Sequence, residues 1–97
     1  MTRSIHRAAE TDLAAAVKFY RLEAGVGVAR RFLNEFERVT KVLEASPHLG
    51  TPTGGQRRWS PLGGFPFSVI YRVTDRGERI LVVRHQSRDP QFGDGRR

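Results

Sequence analysis

The sequence predicts an α+β fold in which an N-terminal strand and an αα-hairpin are followed by a three-stranded antiparallel meander. The first half of the chain holds two amphipathic segments at helical spacing. The second half holds runs of aromatic and β-branched residues, separated by turns that contain glycine or proline. Helices that are separate in sequence from an antiparallel sheet pack together on one of its faces. The 97 residues show no repeat or boundary, so residues 1–97 are expected to form a single domain.

The predicted first strand is short, Ser4–Arg7, and the first helix begins at Ala8. The apolar residues of this helix recur every three or four positions, which places them on one helical face. Gly25 ends the helix, and Gly27 completes the turn to the next one. The residues of the shared face are Ala9, Leu13, Val17, Tyr20 and Ala24.

The second helix repeats this pattern and ends at Ser46, because a residue that precedes proline avoids the α-helical conformation. A connection as short as Gly25–Gly27 makes the two helices antiparallel neighbours, so they form an αα-hairpin. The apolar face of the second helix consists of Val28, Phe32, Phe36, Val39 and Leu43.

The sheet is predicted to begin after an irregular loop at Pro47–Gly55, which is rich in proline and glycine. A turn at Asp75–Glu78 joins the last two strands as a hairpin. We expect Leu81 to be among the sheet residues that contact the helices, and the polar segment Ser87–Arg97 to be loose at its end. The three predicted strands are Gln56–Ser60, Phe65–Thr74 and Arg79–Gln86.

The chain is strongly basic, with 17 basic and 10 acidic residues, a net charge of +7 and a pI of about 11.2. Most of the excess positive charge lies in residues 51–97, and nearly all of the basic residues are arginine. The planar guanidinium fork binds phosphates and carboxylates and stays charged at every relevant pH. A polyanionic partner, either nucleic acid or an acidic protein segment, is therefore expected.

Composition also argues against several classes of protein. The chain has no cysteine, which excludes disulfide frameworks and thiolate metal sites. No apolar run approaches the ~20 residues of a membrane-spanning helix, and the first residues do not have the pattern of a signal peptide. We therefore expect a cytoplasmic protein with no membrane partner, no metal and no cofactor.

Several segments, spread over nearly the whole chain, carry a resemblance to a known family. They are Ala8–Leu13, the pair Phe19–Tyr20, Ala29 with Phe32, Leu43–Gly50, Phe65–Arg72 and Ile80–Pro90. In this order the segments resemble the ParE/RelE superfamily of toxins, the plasmid-stabilisation proteins of type II toxin–antitoxin modules. The last segment, which contains Arg-His-Gln-Ser-Arg-Asp-Pro, is closer to the ParE branch.

The resemblance implies a compact fold with the helices on one sheet face. It also implies a cognate acidic antitoxin, ParD-like or similar, bound in a toxin–antitoxin hetero-oligomer. ParE-like members cause growth arrest by poisoning DNA gyrase and are not nucleases. RelE-like members cut mRNA on the ribosome, so a ribosome-dependent mRNA endonuclease is the alternative function.

The residues available for RNA cleavage favour the ParE branch. Cleavage at a 2′-hydroxyl needs proton transfer as well as stabilisation of the phosphate charge. No lysine follows Lys41, both tyrosines lie inside predicted elements, and arginine is a poor proton shuttle. His85 is interpreted as structural, and Asp89 as a turn residue before Pro90. We assign no catalytic residue; the alternative catalytic set is Arg57, Arg58, Arg84 and His85.

A binding surface for the target or the antitoxin is expected in the basic second half instead. Trp59 follows two arginines, an arrangement common in binding hot spots; its alternative role is to cap the core beside Phe65. A non-toxic binding protein with the same fold is a third possibility, because a fold does not fix a function. The predicted binding residues are Arg57, Arg58, Trp59, Arg72, Arg84, His85 and Arg88.

Overall fold

A computed structural model describes residues 3–97, in which two helices pack against one face of a five-stranded sheet. One turn of 3₁₀ helix, Pro47–Leu49, links the helices to the sheet. The elements are β1 (Ser4–Ile5), α1 (Arg7–Ala24), α2 (Val26–Ala45), β2 (Thr51–Gly54), β3 (Arg57–Pro61), β4 (Phe67–Thr74) and β5 (Gly77–His85).

The two helices are joined by a single residue. Gly25 has a φ of +95°, a left-handed conformation that glycine adopts without a steric penalty. The second helix therefore begins at Val26, and Gly27 lies in its first turn and not in the connection. At the other end of α1, the Ala8 N–H donates to His6 Nδ1 (3.0 Å) and caps the helix. No helix within residues 3–97 is long and apolar enough to cross a membrane.

The sheet has the strand order β1-β5-β4-β3-β2, with β1 parallel to β5 and all other pairs antiparallel. The predicted meander is therefore present as β3, β4 and β5. An additional strand, β2, lies in the segment that was predicted to be an irregular loop: Thr51 pairs with Trp59, and Pro52 pairs with Arg58. Proline and glycine are tolerated there because β2 is an edge strand with an irregular register.

A β-bulge between β4 and β5 decides which residues reach the helices. Ile70 pairs with Val82 and Tyr71 pairs with Ile80, so Leu81 has no partner opposite it. Leu81 and Val82 therefore both face away from the helices. The prediction that Leu81 contacts the hairpin is wrong, since a regular alternation cannot anticipate the bulge.

The main core lies between the helices and the sheet and is rich in aromatic rings. Phe32 and Phe36 of α2 are fully buried, as is Tyr71 of β4. The Phe32 ring meets Phe65 and Phe67 edge-on, with both centroids 5.1 Å away. The predicted stripe of α2 is confirmed as core from Phe32 to Leu43, whereas Val28 at its start is only half-buried.

A second, smaller core lies on the sheet face turned away from the helices, which we call the second face. Ile70, Leu81 and Val82 form it, and Phe92 packs against them. The C-terminal segment, residues 87–97, is thus folded onto the sheet by a series of turns. The expectation of a loose end is wrong, because apolar contacts and guanidinium groups hold this segment.

Candidate functional site

A groove of about 730 Å³ runs between α1, the end of β5 and the C-terminal segment; we call it the α1 groove. Small residues of the helix line one side, and Phe19 and Phe67 provide aromatic surface. The lining residues are Ala8, Thr11, Asp12, Ala15, Ala16, Phe19, Phe67, Val83, His85, Ser87, Arg88, Phe92 and Arg96.

The apolar surface of the groove continues along an outer face of α1 to the tip of the hairpin. Phe19, Leu22 and Val26 are 56%, 69% and 60% exposed, although each is a large hydrophobic residue. Phe19 and Leu22 lie on one face of α1, distinct from the face that packs on the core, and Val26 begins α2 just past the break at Gly25. A contiguous exposed apolar stripe of this kind indicates an interaction surface. Its members on α1 are Ala8, Thr11, Ala15, Phe19 and Leu22.

The floor of the α1 groove is fixed by one carboxylate. Asp12 Oδ2 accepts hydrogen bonds from the Val83 backbone N–H (3.1 Å) and from Arg96 Nη1 (2.6 Å). The same Arg96 nitrogen donates to the Leu81 carbonyl (3.0 Å). This mostly buried pair therefore ties α1, β5 and the C-terminal segment together.

His85 lines the groove but is bound to its own turn. Its Nδ1 accepts the Ser87 backbone N–H (3.0 Å) and lies 2.7 Å from Ser87 Oγ. Its ring meets Phe67 edge-on with centroids 5.0 Å apart. Asp89 accepts the Gln91 N–H (2.9 Å) and forms a turn. These contacts hold both side chains in place at the turn that follows β5.

Arginines dominate the second face. Arg57, Arg72 and Arg79 lie side by side across three strands, in direct register. Arg57 Nη2 donates to the carbonyls of Gly93 (3.0 Å), Asp94 (2.8 Å) and Arg96 (2.6 Å). Arg57 therefore holds the C-terminal segment against the sheet and also contributes a positive charge to this face.

Arg72 is the least satisfied member of this row. Within residues 3–97 its Nε is shielded from solvent and has no hydrogen-bond partner. Neither Arg57, Arg72 nor Arg79 forms an ion pair with an acidic side chain of those residues. Like charges placed directly opposite one another destabilise a sheet, so this face favours an anionic partner.

Trp59 lies on the second face near a cleft of about 300 Å³, which we call the second-face cleft. It packs against the second core and not beside Phe65, which belongs to the helix-side core. Trp59 is only half-buried, so part of its ring is accessible. The cleft is lined by Thr53, Trp59, Ser68, Arg84, Gln86, Arg88 and Pro90.

The predicted site residues are divided between the two faces of the sheet. Arg58 lies on the helix side, where its Nη1 donates to the carbonyls of His48 (3.1 Å) and Gly50 (2.8 Å). His85 is also on that side, opposite Phe67. The alternative catalytic set of four residues is therefore split into two pairs. The residues on the second face are Arg57, Trp59, Arg72 and Arg84, with Arg88 in the adjoining segment.

Sequence reasoning missed three residues that shape these surfaces: Asp12, Phe92 and Arg96. Phe92 stacks beneath the guanidinium carbons of Arg88 (4.6 Å) and Arg96 (4.9 Å). The contact between Asp12 and Arg96 joins residues far apart in sequence, and no local pattern predicts it. The outer stripe of α1 was detectable, because its spacing is visible in the sequence.

Glu78 lies away from both surfaces, on the helix side of the sheet. It is 2% exposed, and neither carboxylate oxygen has a hydrogen-bond partner within residues 3–97. Burial, with a smaller contribution from the nearby Glu44, raises the pKa of Glu78 to about 7, while Arg3 acts in the opposite direction. This group affects stability and is treated in the Discussion.

Comparison with known proteins agrees with this architecture. A family model for the ParE toxin of the type II toxin–antitoxin system parDE matches residues 4–90. Toxin ParE2 of Mycobacterium tuberculosis is 33% identical over 92 residues, which is 93% of this chain and 88% of that protein. A solved structure of the chromosomal ParDE toxin–antitoxin system from P. aeruginosa superimposes with a TM-score of 0.77 at 26% identity, over 88% of this chain and 95% of the other. The chain therefore belongs to the ParE toxin family of type II toxin–antitoxin systems.

Proposed function

We propose that this protein inhibits DNA gyrase by binding it, and that an acidic antitoxin neutralises it. One observation carries the proposal: the second face presents guanidinium groups without acidic partners, while His85 lies on the other face. Arginine binds anionic surfaces well but transfers protons poorly. The arrangement therefore suits tight binding to a charged macromolecule better than cleavage of RNA.

The α1 groove supports the antitoxin part of the proposal. A helix whose apolar residues recur every three or four positions would cover Phe19 and Leu22, and the small residues Ala8 and Ala15 would let its backbone approach closely. Arg88 at the end of the groove and the net charge of +7 favour acidic side chains on that helix.

Occupation of the α1 groove also offers a route to neutralisation. Phe92 and Arg96 line the groove, and the segment that carries them covers part of the second face. An antitoxin bound in the groove would therefore contact the same segment that borders the basic surface. Gyrase and antitoxin would then compete for one region of the toxin.

Supercoiling by purified gyrase tests the target. The protein is expected to inhibit supercoiling, and Arg72→Ala is expected to weaken inhibition about tenfold, because it removes one unpaired charge from the interface. Arg30→Ala, which removes an exposed arginine from α2, is the matched control and should leave inhibition unchanged. Normal supercoiling at a stoichiometric excess of toxin would contradict the proposal.

Growth rescue tests the antitoxin surface. Co-expression of an acidic protein from the neighbouring reading frame is expected to restore growth to cells that make this chain. Leu22→Glu should abolish that rescue while the toxin still arrests growth, because the charge opposes burial of the stripe. Leu49→Glu is the control, since Leu49 is 65% exposed but lies outside the groove. Equal rescue of both variants would place the antitoxin elsewhere.

A further inference from the structure

The second-face cleft combines an aromatic wall with two arginines. Trp59 of β3 and Arg84 of β5 contribute from the sheet, and Arg88 contributes from the segment that follows β5. No acidic side chain of residues 3–97 lines this cleft. Its volume of about 300 Å³ is at the lower end of the range for small-molecule sites. The cleft can therefore hold one compact anionic group.

The polar groups of the cleft are available to a ligand. Within residues 3–97, Trp59 Nε1, the Ser68 hydroxyl and the Gln86 amide have no hydrogen-bond partner. Arg84 uses Nη1 to hold the Pro90 carbonyl (2.8 Å), which leaves its other donors unused. Arg88 is exposed and held in position by its contact with the Phe92 ring. Preorganised donors without protein acceptors are typical of a binding site.

We infer that the second-face cleft binds one nucleotide unit of single-stranded nucleic acid. The accessible part of the Trp59 indole would stack on the base, and the guanidinium groups of Arg84 and Arg88 would bind the phosphate. Every base has a flat face that can stack, so the site would bind single strands without preferring particular bases. This activity goes beyond inhibition of gyrase as a protein target.

The aromatic wall of the cleft favours a nucleic acid over an acidic peptide, and the arginine row adds positive charge to the same face. Neighbouring strands are about 4.8 Å apart, so Arg57, Arg72 and Arg79 span about 10 Å. A nucleotide offers a flat base that can stack on Trp59 together with a phosphate for the arginines, whereas an acidic peptide offers carboxylates alone. Arg72, whose Nε has no hydrogen-bond partner within residues 3–97, lies on the same face of β4 as Ser68 of the cleft, four residues away.

Intrinsic fluorescence gives a direct test, because Trp59 is the only tryptophan in the sequence. A ten-nucleotide oligothymidylate should quench Trp59 saturably, and the affinity should fall when salt is raised from about 50 to about 200 mM. A ten-residue polyglutamate should neither quench Trp59 nor compete with the oligonucleotide. Equal quenching by polyglutamate would overturn the inference and indicate an acidic protein segment as the ligand.

Variants supply the second arm of the test, with a labelled oligonucleotide and fluorescence anisotropy as the readout. Arg88→Ala should lower the affinity about tenfold, since it removes a charge-assisted contact without disturbing a protein hydrogen bond. Trp59→Phe should lower it several-fold through weaker stacking, whereas Arg30→Ala should change it less than twofold. If all three variants bound the oligonucleotide with the same affinity, the inference that the cleft binds it would be wrong. Supercoiling assays on these variants separate the two proposals, because loss of oligonucleotide binding with intact gyrase inhibition leaves the gyrase proposal standing.

Discussion

Arg96 donates a 2.6 Å hydrogen bond to the carboxylate of Asp12, and both side chains are mostly buried. Because Asp12 also accepts the Val83 N–H, this one carboxylate joins the first helix, the last strand and the C-terminal segment. Both proposed binding surfaces border that segment. The contact between Asp12 and Arg96 is therefore expected to support binding as well as stability.

Asp12→Asn should lower the free energy of unfolding by about 2–4 kcal/mol, because Arg96 would be left as a buried charge without a partner. Urea denaturation would measure this loss. Glu10→Gln removes an exposed acidic charge from the same helix and should change the free energy by less than about 0.5 kcal/mol. Equal stability of the two variants would show that the ion pair contributes little.

Arg57→Ala should release the end of the chain without unfolding the domain. The Arg57 guanidinium binds three carbonyls of the C-terminal segment, and the Asp94 and Arg96 amides form the hydrogen bonds of the same turns. Hydrogen exchange at these two amides should become at least about tenfold faster, the effect of losing roughly 1.4 kcal/mol of local stability. Arg76→Ala, in the distant hairpin turn, should leave their exchange unchanged.

Two substitutions of glycine by alanine should change the stability of the fold in opposite directions. A methyl group at Gly50 would overlap the Tyr71 hydroxyl, which accepts the Gly50 N–H (2.9 Å) and donates to the Pro47 carbonyl (2.6 Å). Gly50→Ala should therefore destabilise the fold by about 2 kcal/mol or more. Gly27 lies in α2 with open space at its Cβ, so Gly27→Ala should stabilise by about 0.5–1 kcal/mol. Thermal unfolding would measure both effects. A shift of the two melting temperatures in the same direction would contradict this explanation.

The buried carboxyl group of Glu78 should make the stability of the fold depend on pH in an unusual way. Its folded pKa of about 7 is above the ordinary value of 4.5, so the native state binds the proton more tightly than the unfolded state. The contribution of Glu78 to stability should therefore be full below about pH 4.5, decline as the pH rises to about 7, and then level off. Charged groups that face it are Glu44 from α2 and Arg3 from the segment before β1.

Glu78→Gln should remove this decline and raise the free energy of unfolding at pH 8 by roughly 3 kcal/mol at most. Denaturation of both proteins at pH 5 and at pH 8 would measure the difference. The exposed variant Glu23→Gln should keep the wild-type slope. If the free energy of unfolding of Glu78→Gln declined with pH as steeply as that of the wild type, another group would be responsible for the decline.

The sequence predicted the helices and the meander well, because local spacing determines them. The stripe from Phe32 to Leu43 and the break at Gly25 were both visible as patterns. The bulge at Leu81 was not, since it depends on the pairing of β5 with β4. Strand β2 was missed because Pro52 and Gly54 are typical of loops and are tolerated only at a sheet edge.

The candidate site was predictable in its residue types and not in its geometry. The excess of arginine in the second half indicated a basic surface, and Arg57, Arg72 and Arg84 do lie on one face. That Arg58 and His85 lie on the opposite face follows from the strand register, which the sequence alone did not define. The role of Arg57 as a clamp required the path of the C-terminal segment.

The central claim is that the arginine-rich second face works by binding, and gyrase titration tests it most directly. The toxin dose that halves supercoiling should rise in proportion when the gyrase concentration is raised tenfold, as expected for a tight stoichiometric complex. Translated mRNA, followed by primer extension under the same conditions, should remain intact. Cleavage of ribosome-bound mRNA at sub-stoichiometric toxin, abolished by His85→Ala, together with normal supercoiling, would contradict the claim.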